Sequence, residues 1–385
     1  MTAVEVVRKG FTALYGVDPE GVWQAPGRVN VIGEHTDYND GFMLPIALPH
    51  AARVAASRRG DGVLRLHSGQ FPDGGVTELR LADLAPGGVG GWAAYPAAVF
   101  WALGRAGHPV GGADLYLDSD VPTGAGLSSS AALECAVATA CNDLYGLGLT
   151  PPRLARLCQG AENDFVGVPC GILDQLASCC CAQGRALFVD ARSLDTRQVP
   201  FDPAAYGLVL LVVDTQVKHA HADGAYARRR RGCERAAALL GVPALRDVPS
   251  AGLDGALARL PEGELRSLTR HIVSEDARVE RVMALLDAGD LRGIGPVLTE
   301  GHASLRDDFA VSCAETDLAV EAAVAAGALG ARMTGGGFGG SIIALADAAD
   351  AEAVTTAVAD AFAAHGWTAP RAFTAVPGPG AHRLE

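Results

Sequence analysis

One run constrains this chain more than any other: Val121-Pro122-Thr123-Gly124-Ala125-Gly126-Leu127-Ser128-Ser129-Ser130-Ala131-Ala132. Residues 113–118 before it alternate apolar and polar, a strand pattern, and Pro122 and Gly124 stop that strand. From Leu133 the apolar residues fall at helical spacing, through Val137, Ala140 and Leu144, with Ser128 as the expected N-cap. Strand, glycine-rich loop and helix start, in that order, bring first-turn N–H groups without helical partners to one point. With the helix dipole behind them, they form a ready anion site. Glycine lets the backbone close on a ligand. The three hydroxyls add donors, one of them able to reach a metal ion beside a phosphate. A loop that merely caps a buried helix has the same letters, so the rest of the chain must decide.

Composition narrows the classes. The 385 residues leave room for two domains with a cleft between them, and a 49% apolar share is globular. A net charge of −13 argues against nucleic acid and anionic membranes as partners. It leaves a nucleotide open, because a helix N-terminus and Mg²⁺ can hold phosphates on an acidic protein. Met1 to Gly10 carries Glu5, Arg8 and Lys9 with no long apolar run, unlike a signal peptide. The longest apolar run, Leu208 to Val213, fits a buried strand and is far too short for a membrane span. Nine cysteines, an odd number without paired CxxC spacing, suggest a reducing cytoplasm, with Cys179-Cys180-Cys181 packing as small hydrophobes. Arginine supplies all but two, Lys9 and Lys218, of the 31 basic residues. Neither lysine lies in a GxxxxGK[ST] or V-A-I-K context, which excludes a Walker-A protein and a protein kinase.

Taken in order, residues 3–15 predict an amphipathic helix with Val4, Val7, Phe11 and Leu14 on one side. Ala25 to Ile32 reads as a strand. The next residues pack Glu34, His35, Asp37, Tyr38 and Asn39 between Gly33 and Gly41. That density of polar groups suits a polyhydroxylated ligand, since carboxylates accept from sugar hydroxyls and His35 can donate or accept. A solvated turn capped by Asp and Asn is the plainer reading. One or two strands are expected over 42–57 with a turn at Pro49-His50, then a strand over 62–68, loop over 72–91 and a helix over 92–104. After Thr150-Pro151-Pro152 a helix over 153–164 carries Glu162. Gly171-Ile172-Leu173-Asp174-Gln175 starts another, with Asp174 in its first turn as helix stabiliser or positioned base.

Beyond Ala186, strands are expected at 186–189 and 206–214 and a charged helix around 226–240. The run Arg228 to Arg231 reads as a solvated face. His219 and His221 form an HxH too weak to count as a metal signal. Helices fill most of 262–327, and a helix near 350–364 and a closing strand complete an α+β layer. Gly335 to Gly340 spells GxGxxG, but with a helix expected before it and the strand Ser341 to Leu345 after it. A dinucleotide site needs a strand before the glycines and a helix after them. The central loop fails that test too, with Ser129 where the third glycine belongs.

Three motifs together resemble the GHMP small-molecule kinases: Pro26-Gly27-Arg28 onward, Pro122 to Ala131, and Thr334 to Gly340. The stretch from Gly27 to Asn39, with its Glu34-His35-Thr36-Asp37, is similar to the galactokinase branch in particular. The departures (Val31, Leu173 and Ala125) touch no charged position.

The resemblance implies a two-domain α+β GHMP fold with the active site between the domains. Residues 1–185 would form an N-terminal ribosomal-S5-domain-2-like domain and residues 186–385 a C-terminal ferredoxin-like α/β sandwich. It implies ATP and Mg²⁺ as cofactors, D-galactose as the sugar phosphorylated at its anomeric hydroxyl, a cytoplasmic location, and a monomer or weak homo-oligomer. By position, Asp174 and Arg28 would be catalytic, and Glu34, His35, Thr36, Asp37 and Tyr226 would hold the sugar. Gly124, Ala125, Gly126, Leu127, Ser128, Ser129 and Ser130 would wrap the phosphates, with Ser68 near the nucleotide. Ser130 and Glu162 would carry Mg²⁺. Relatives within the resemblance include kinases for N-acetylgalactosamine or arabinose, and sugar sensors that do not catalyse. Sensors tend to damage the loop or the base, and here Ser128 to Ala131 and Asp174 are intact.

Overall fold

A computed structural model describes residues 2–218 and 222–385. The HxH histidines, 219 and 221, lie outside the described residues. The first half is built on a six-stranded sheet in the order His382–Arg383, Gly21–Asn30, Pro45–Arg59, Gly112–Ser119, Val63–Ser68, Thr77–Arg80. Its pairs are antiparallel except Val63–Ser68 with Gly112–Ser119. Strand alternation sends Val22 and Ala55 to one face, where Val7 and Phe11 of the helix Ala3–Tyr15 cover them. A capping box between Thr2 and Glu5 starts that helix. Trp23, Val54 and Ala56 face the other side. There the helices Ala94–Arg105, Ser129–Leu144, Pro151–Ala161 and Leu173–Cys180 form a second layer.

The helix Ser129–Leu144 lies deepest. Its buried residues are nearly all small: Ala131, Ala132, Cys135, Ala136, Val137, Ala138, Ala140 and Cys141. Small side chains let strands and neighbouring helices approach its backbone from several sides.

The second half carries a four-stranded antiparallel sheet in the order Gly330–Thr334, Gly339–Asp347, Leu208–Lys218, Arg371–Ala375. One face of it, Val212, Ile343 and Leu345, joins the apolar core that contains Trp23 and Val54. The other face, Val213, Ile342 and Ala344, packs under the second half's own helices. The halves therefore share a continuous core. A small sheet of Phe42–Met43, Arg185–Asp190 and Thr196–Pro200 adds a second seam.

Most expected elements are present, and the differences have local causes. No turn forms at Pro49-His50: Pro45–Arg59 is one strand with a bulge there, Leu48, Pro49 and His50 standing against Gly27 alone, between the pairs Pro26 with Ala51 and Arg28 with Ala47. The expected loop over 72–91 contains the edge strand Thr77–Arg80. The strand Thr196–Pro200 was not expected; its alternation is short and mostly exposed. The helix carrying Glu162 ends at Ala161, and Glu162 opens a π-helical turn, Glu162–Val166. A strand, Gly330–Thr334, precedes the GxGxxG glycines where a helix was expected. The glycines thus make a hairpin, and the missing helix after them still excludes a dinucleotide fold. Ser128 stands at the N-cap but makes no capping bond, because its φ of 60° places it in the left-handed region. Its hydroxyl is buried without a partner.

The chain's last strand, His382–Arg383, adds to the sheet of its beginning, pairing with Gln24 and Trp23. The tail before it is tied by Gly378 N–H to Ala47, Gly380 N–H to Cys181 and Ala381 N–H to Ser178 carbonyls. Each such bond is worth about 1 kcal/mol net. Truncation after Ala375 is therefore expected to lower the melting temperature by about 5 °C or more, read by calorimetry. An unchanged transition would show that the tail is only draped on the surface.

Candidate active site

The site begins where the strand Gly21–Asn30 passes the bulge of its neighbour, Pro45–Arg59. Arg28 lies just beyond that point, almost fully buried, at 4% exposure. Its Nε and Nη2 both donate to Asp174 Oδ1, at 2.9 and 2.5 Å, and its Nη1 donates to the Gly126 carbonyl at 2.6 Å. Its backbone N–H donates to the Leu127 carbonyl. One residue thus joins the first motif, the glycine-serine loop and the first turn of the helix Leu173–Cys180. Both arginine bonds fall on Oδ1, so Oδ2 has no bond to the arginine.

The polar run after that strand is held as a tight turn. Gly33, at φ 102°, and His35, at φ 65°, are both left-handed. Thr36 Oγ1 lies 2.8 and 2.7 Å from the Gly33 and Phe42 carbonyls. Thr36 is fully buried and does not line the cavity, so its expected place among the sugar contacts is corrected: it closes the turn. Glu34 is buried against Arg332 and the Gly335 amide, at 2.5 and 3.4 Å. Burial raises its carboxyl above the usual range. His35 Nδ1 lies 2.8 Å from the Tyr38 hydroxyl, while its buried Nε2 lacks a well-formed hydrogen bond. Burial, with His271 nearby, pushes His35 down to about 3, so the ring is neutral.

These residues wall a cavity of about 370 Å³. Arg28, Glu34, His35, Asp37, Asp174 and Tyr226 line it together with Ser130, Glu162 and the backbone of Gly335 to Gly337. Burial and then the neighbouring Asp174 carboxylate push Asp37 up to about 6. Gly171 is required here, because a Cβ on it would overlap the Asp37 carboxylate. Four of the five expected sugar contacts, spread from residue 34 to residue 226, therefore meet in one chamber with the expected base.

A second cavity, of about 410 Å³, adjoins it and shares Ser130. Its walls include Ser68, Thr123, Ser129, Tyr95 and two parallel rings, Phe71 and Trp92, with centroids 6.5 Å apart and planes 6° off parallel. Parallel aromatic faces beside a helix N-terminus suit a flat base followed by phosphates. Gly124, Ala125, Gly126, Leu127 and Ser128 wall neither cavity. The loop's carbonyls are held from behind, Ala125 by the Ser341 hydroxyl and Gly126 by Arg28. Gly124 and Gly126 are exposed.

Ser130, shared by the two cavities, donates to Glu162 of the first. Burial, then the Asp174 carboxylate, push Glu162 up to about 7. Gln175 Nε2 donates to it at 2.8 Å, and the Cys170 thiol lies 3.5 Å away. A half-buried hydroxyl and a buried carboxylate short of positive charge form an oxygen set that fits Mg²⁺. Among the described residues no group of three or more His, Cys, Asp and Glu could hold a metal by itself. An ion here would therefore take further ligands from phosphates.

Sequence reasoning missed Arg332, Glu275, Gln175, Cys170 and the aromatic pair Phe71 and Trp92. Two of them left a trace. Arg332 is the one charge in an otherwise apolar strand, and Glu275 falls on the face of its helix that buries Leu268, Ile272 and Val279.

Comparisons with known proteins agree with this geometry. Family models match at residues 94–182 (GHMP kinases N terminal domain), 9–58 (galactokinase galactose-binding signature) and 282–364 (GHMP kinases C terminal). The chain is similar to the galactokinase of Streptomyces coelicolor, 65% identical over 379 residues that span 98% of both chains. It is 47% identical to the galactokinase of Mycobacterium tuberculosis, over 93% of this chain and 97% of that one. The crystal structure of Lactococcus lactis galactokinase complexed with galactose superposes with a TM-score of 0.95, at 31% identity and full coverage of both chains. Mevalonate kinase of Methanococcus jannaschii shares the fold, with a TM-score of 0.66 at 16% identity over 94% of this chain and 98% of that one.

Proposed function

The chain belongs to the galactokinase family of GHMP kinases, and we propose that it transfers the γ-phosphoryl group of ATP to the anomeric hydroxyl of D-galactose, giving galactose 1-phosphate and ADP. The observation that carries this reading is the Arg28–Asp174 pair on the wall of a polar, hexose-sized chamber that shares Ser130 with an aromatic-lined one.

Phosphoryl transfer asks for in-line positioning and neutralised charge more than for covalent help. Glu34, His35, Asp37 and Tyr226 hold the sugar by its hydroxyls. His35 is neutral, so its open nitrogen can pair with a hydroxyl. Asp174 lies where it can accept the anomeric proton as the sugar oxygen bonds to phosphorus and the bond from phosphorus to the β–γ bridging oxygen breaks. Arg28 orients Asp174 and supplies positive charge near the transferred group. The first-turn N–H groups at Ser129 and Ser130, with those of the exposed Gly124 and Gly126 beside them, would face the phosphates. Phe71 and Trp92 grip the base, with Ser68 beside it. Ser130 and Glu162 would hold Mg²⁺, which when bound neutralises phosphate charge. The Glu162 carboxyl, near 7 without the ion, would then stay ionised.

The division we propose is residues 1–185 for sugar and nucleotide and residues 186–385 for the GHMP C-terminal half, with the closing strand returning to the first sheet. Nine unpaired cysteines support a reducing compartment, the cytoplasm, and among the described residues no helix is long and apolar enough to cross a membrane. We read the chain as a monomer or weak homo-oligomer.

Sugar-dependent ADP release, tested on galactose, its 2-amino and 2-deoxy derivatives, glucose and arabinose, should be greatest with galactose. Strong preference for another sugar would overturn the assignment. Asp174→Ala should cost at least about 10³-fold in kcat while calorimetry still detects sugar binding; near-normal turnover would remove its role. Glu34→Ala should weaken galactose more than ATP. Asp37 accepts more strongly from a hydroxyl when it is ionised, so kcat/KM for galactose should fall as pH drops through about 6. Asp37→Asn should flatten that limb, and a limb unchanged in the variant would assign it to another group.

A further inference from the structure

Resting on that reading, we infer that Arg332 is the positioning residue of the sugar site: it carries no contact to the reacting atoms but fixes the Glu34 carboxylate that receives the sugar. Three distant segments converge on its buried guanidinium. Nη2 donates to Glu34 Oε2 at 2.5 Å and to Glu275 Oε1 at 2.7 Å. Glu275, from the helix Glu264–Asp287, also accepts from the Gly33 N–H at 2.9 Å and from Arg278 Nε at 2.8 Å. All of this lies out of water: Arg332 and Glu275 are 0% exposed and Glu34 is 1% exposed.

The arrangement is asymmetric. Glu275 faces two guanidinium groups, which hold it ionised against its burial. Glu34 shares one of them. Its Oε2 is committed to Arg332, and its Oε1 receives only the long 3.4 Å bond from the Gly335 amide. Oε1 thus keeps acceptor capacity, and Glu34 lines the sugar chamber. Arg332 also sits on the strand that runs directly into Gly335 to Gly337, whose backbone forms the adjoining wall. One side chain therefore sets both the acid and the distance to the glycine wall.

A buried ion network is poor evidence of a purely stabilising role, because apolar residues of similar volume often replace one at no loss. Removing one member is different, since it leaves a buried charge unpaired. Without Arg332, Glu34 and Glu275 would face each other as two carboxylates with Arg278 alone between two claims.

The experiment is a mutant cycle read by calorimetric galactose binding, by KM and kcat, and by thermal unfolding on the full chain. Arg332→Met should weaken galactose by about 30-fold or more, with the KM for ATP changed less than about threefold. Glu34→Gln should weaken galactose too, and Arg332→Met placed on Glu34→Gln should add little, because both remove one function. Arg332→Met/Glu275→Gln removes one charge of each sign. It should regain thermal stability lost in Arg332→Met without regaining galactose affinity. Galactose affinity that returns with stability in that pair, or losses that simply add in the cycle, would reduce Arg332 to a structural role. If Glu34→Gln alone leaves galactose affinity intact, it is the assignment of the sugar chamber that fails.

Discussion

The cleft depends on a buried arginine that cannot be hydrated and so must be answered by the protein. Arg28 has five donors and almost no exposure. A partner left unmet at that depth would cost about 1–3 kcal/mol, more because the group is charged. Its partners are an aspartate at the start of one helix and a carbonyl in the loop before another. Satisfying Arg28 therefore fixes where Asp174 sits relative to the glycine-serine loop. The register shift between Pro26 and Arg28, made by the extra residues of the neighbouring strand, is the backbone's share of that arrangement, since an unbroken ladder would pair the residues that follow differently.

The same logic repeats across the cleft with a second arginine. Arg332 answers two carboxylates, and the glutamate it holds belongs to a turn only eight residues after the strand begins to carry Arg28's motif. The two arginines thus pin the run from Arg28 to Asp37 at its first residue and at Glu34. Between them the turn needs no hydrophobic core of its own. Left-handed residues at Gly33 and His35 give its shape, and Thr36 closes it. A chamber assembled this way is preorganised: its acceptors are held in place before a sugar arrives, which lowers the ordering cost of binding.

Much of this was legible in the sequence, for reasons that differ by residue. The helix Ala3–Tyr15 and the strand Gly112–Ser119 carry clean periodicity, and the capping box and glycine punctuation agree with it. The chemistry near Glu34, His35 and Asp174 was legible because polar residues stand where a core or a plain turn would not want them. Pro49 misled because a proline at an exposed position can sit in a long strand if the ladder bulges around it. Ser128 misled because a hydroxyl at a helix start usually caps, and here the left-handed backbone turns it away. Thr36 misled because its neighbours in sequence face the cavity while its own hydroxyl faces the turn.

What stayed hidden in the sequence are the long-range partners. Phe71 lies in an expected loop and Trp92 at a helix start, and nothing local says that their rings will be parallel. Glu275 and Arg332 are separated by 57 residues, and each is separated from Glu34 by more than 200. Yet each breaks the apolar pattern of its own element, and a charge in an apolar face must find a counter-charge when the chain folds. Reading such breaks as halves of an unseen pair would have joined Glu275 to Arg332. In this chain, the residues that violate their element's pattern are the ones that build the cleft.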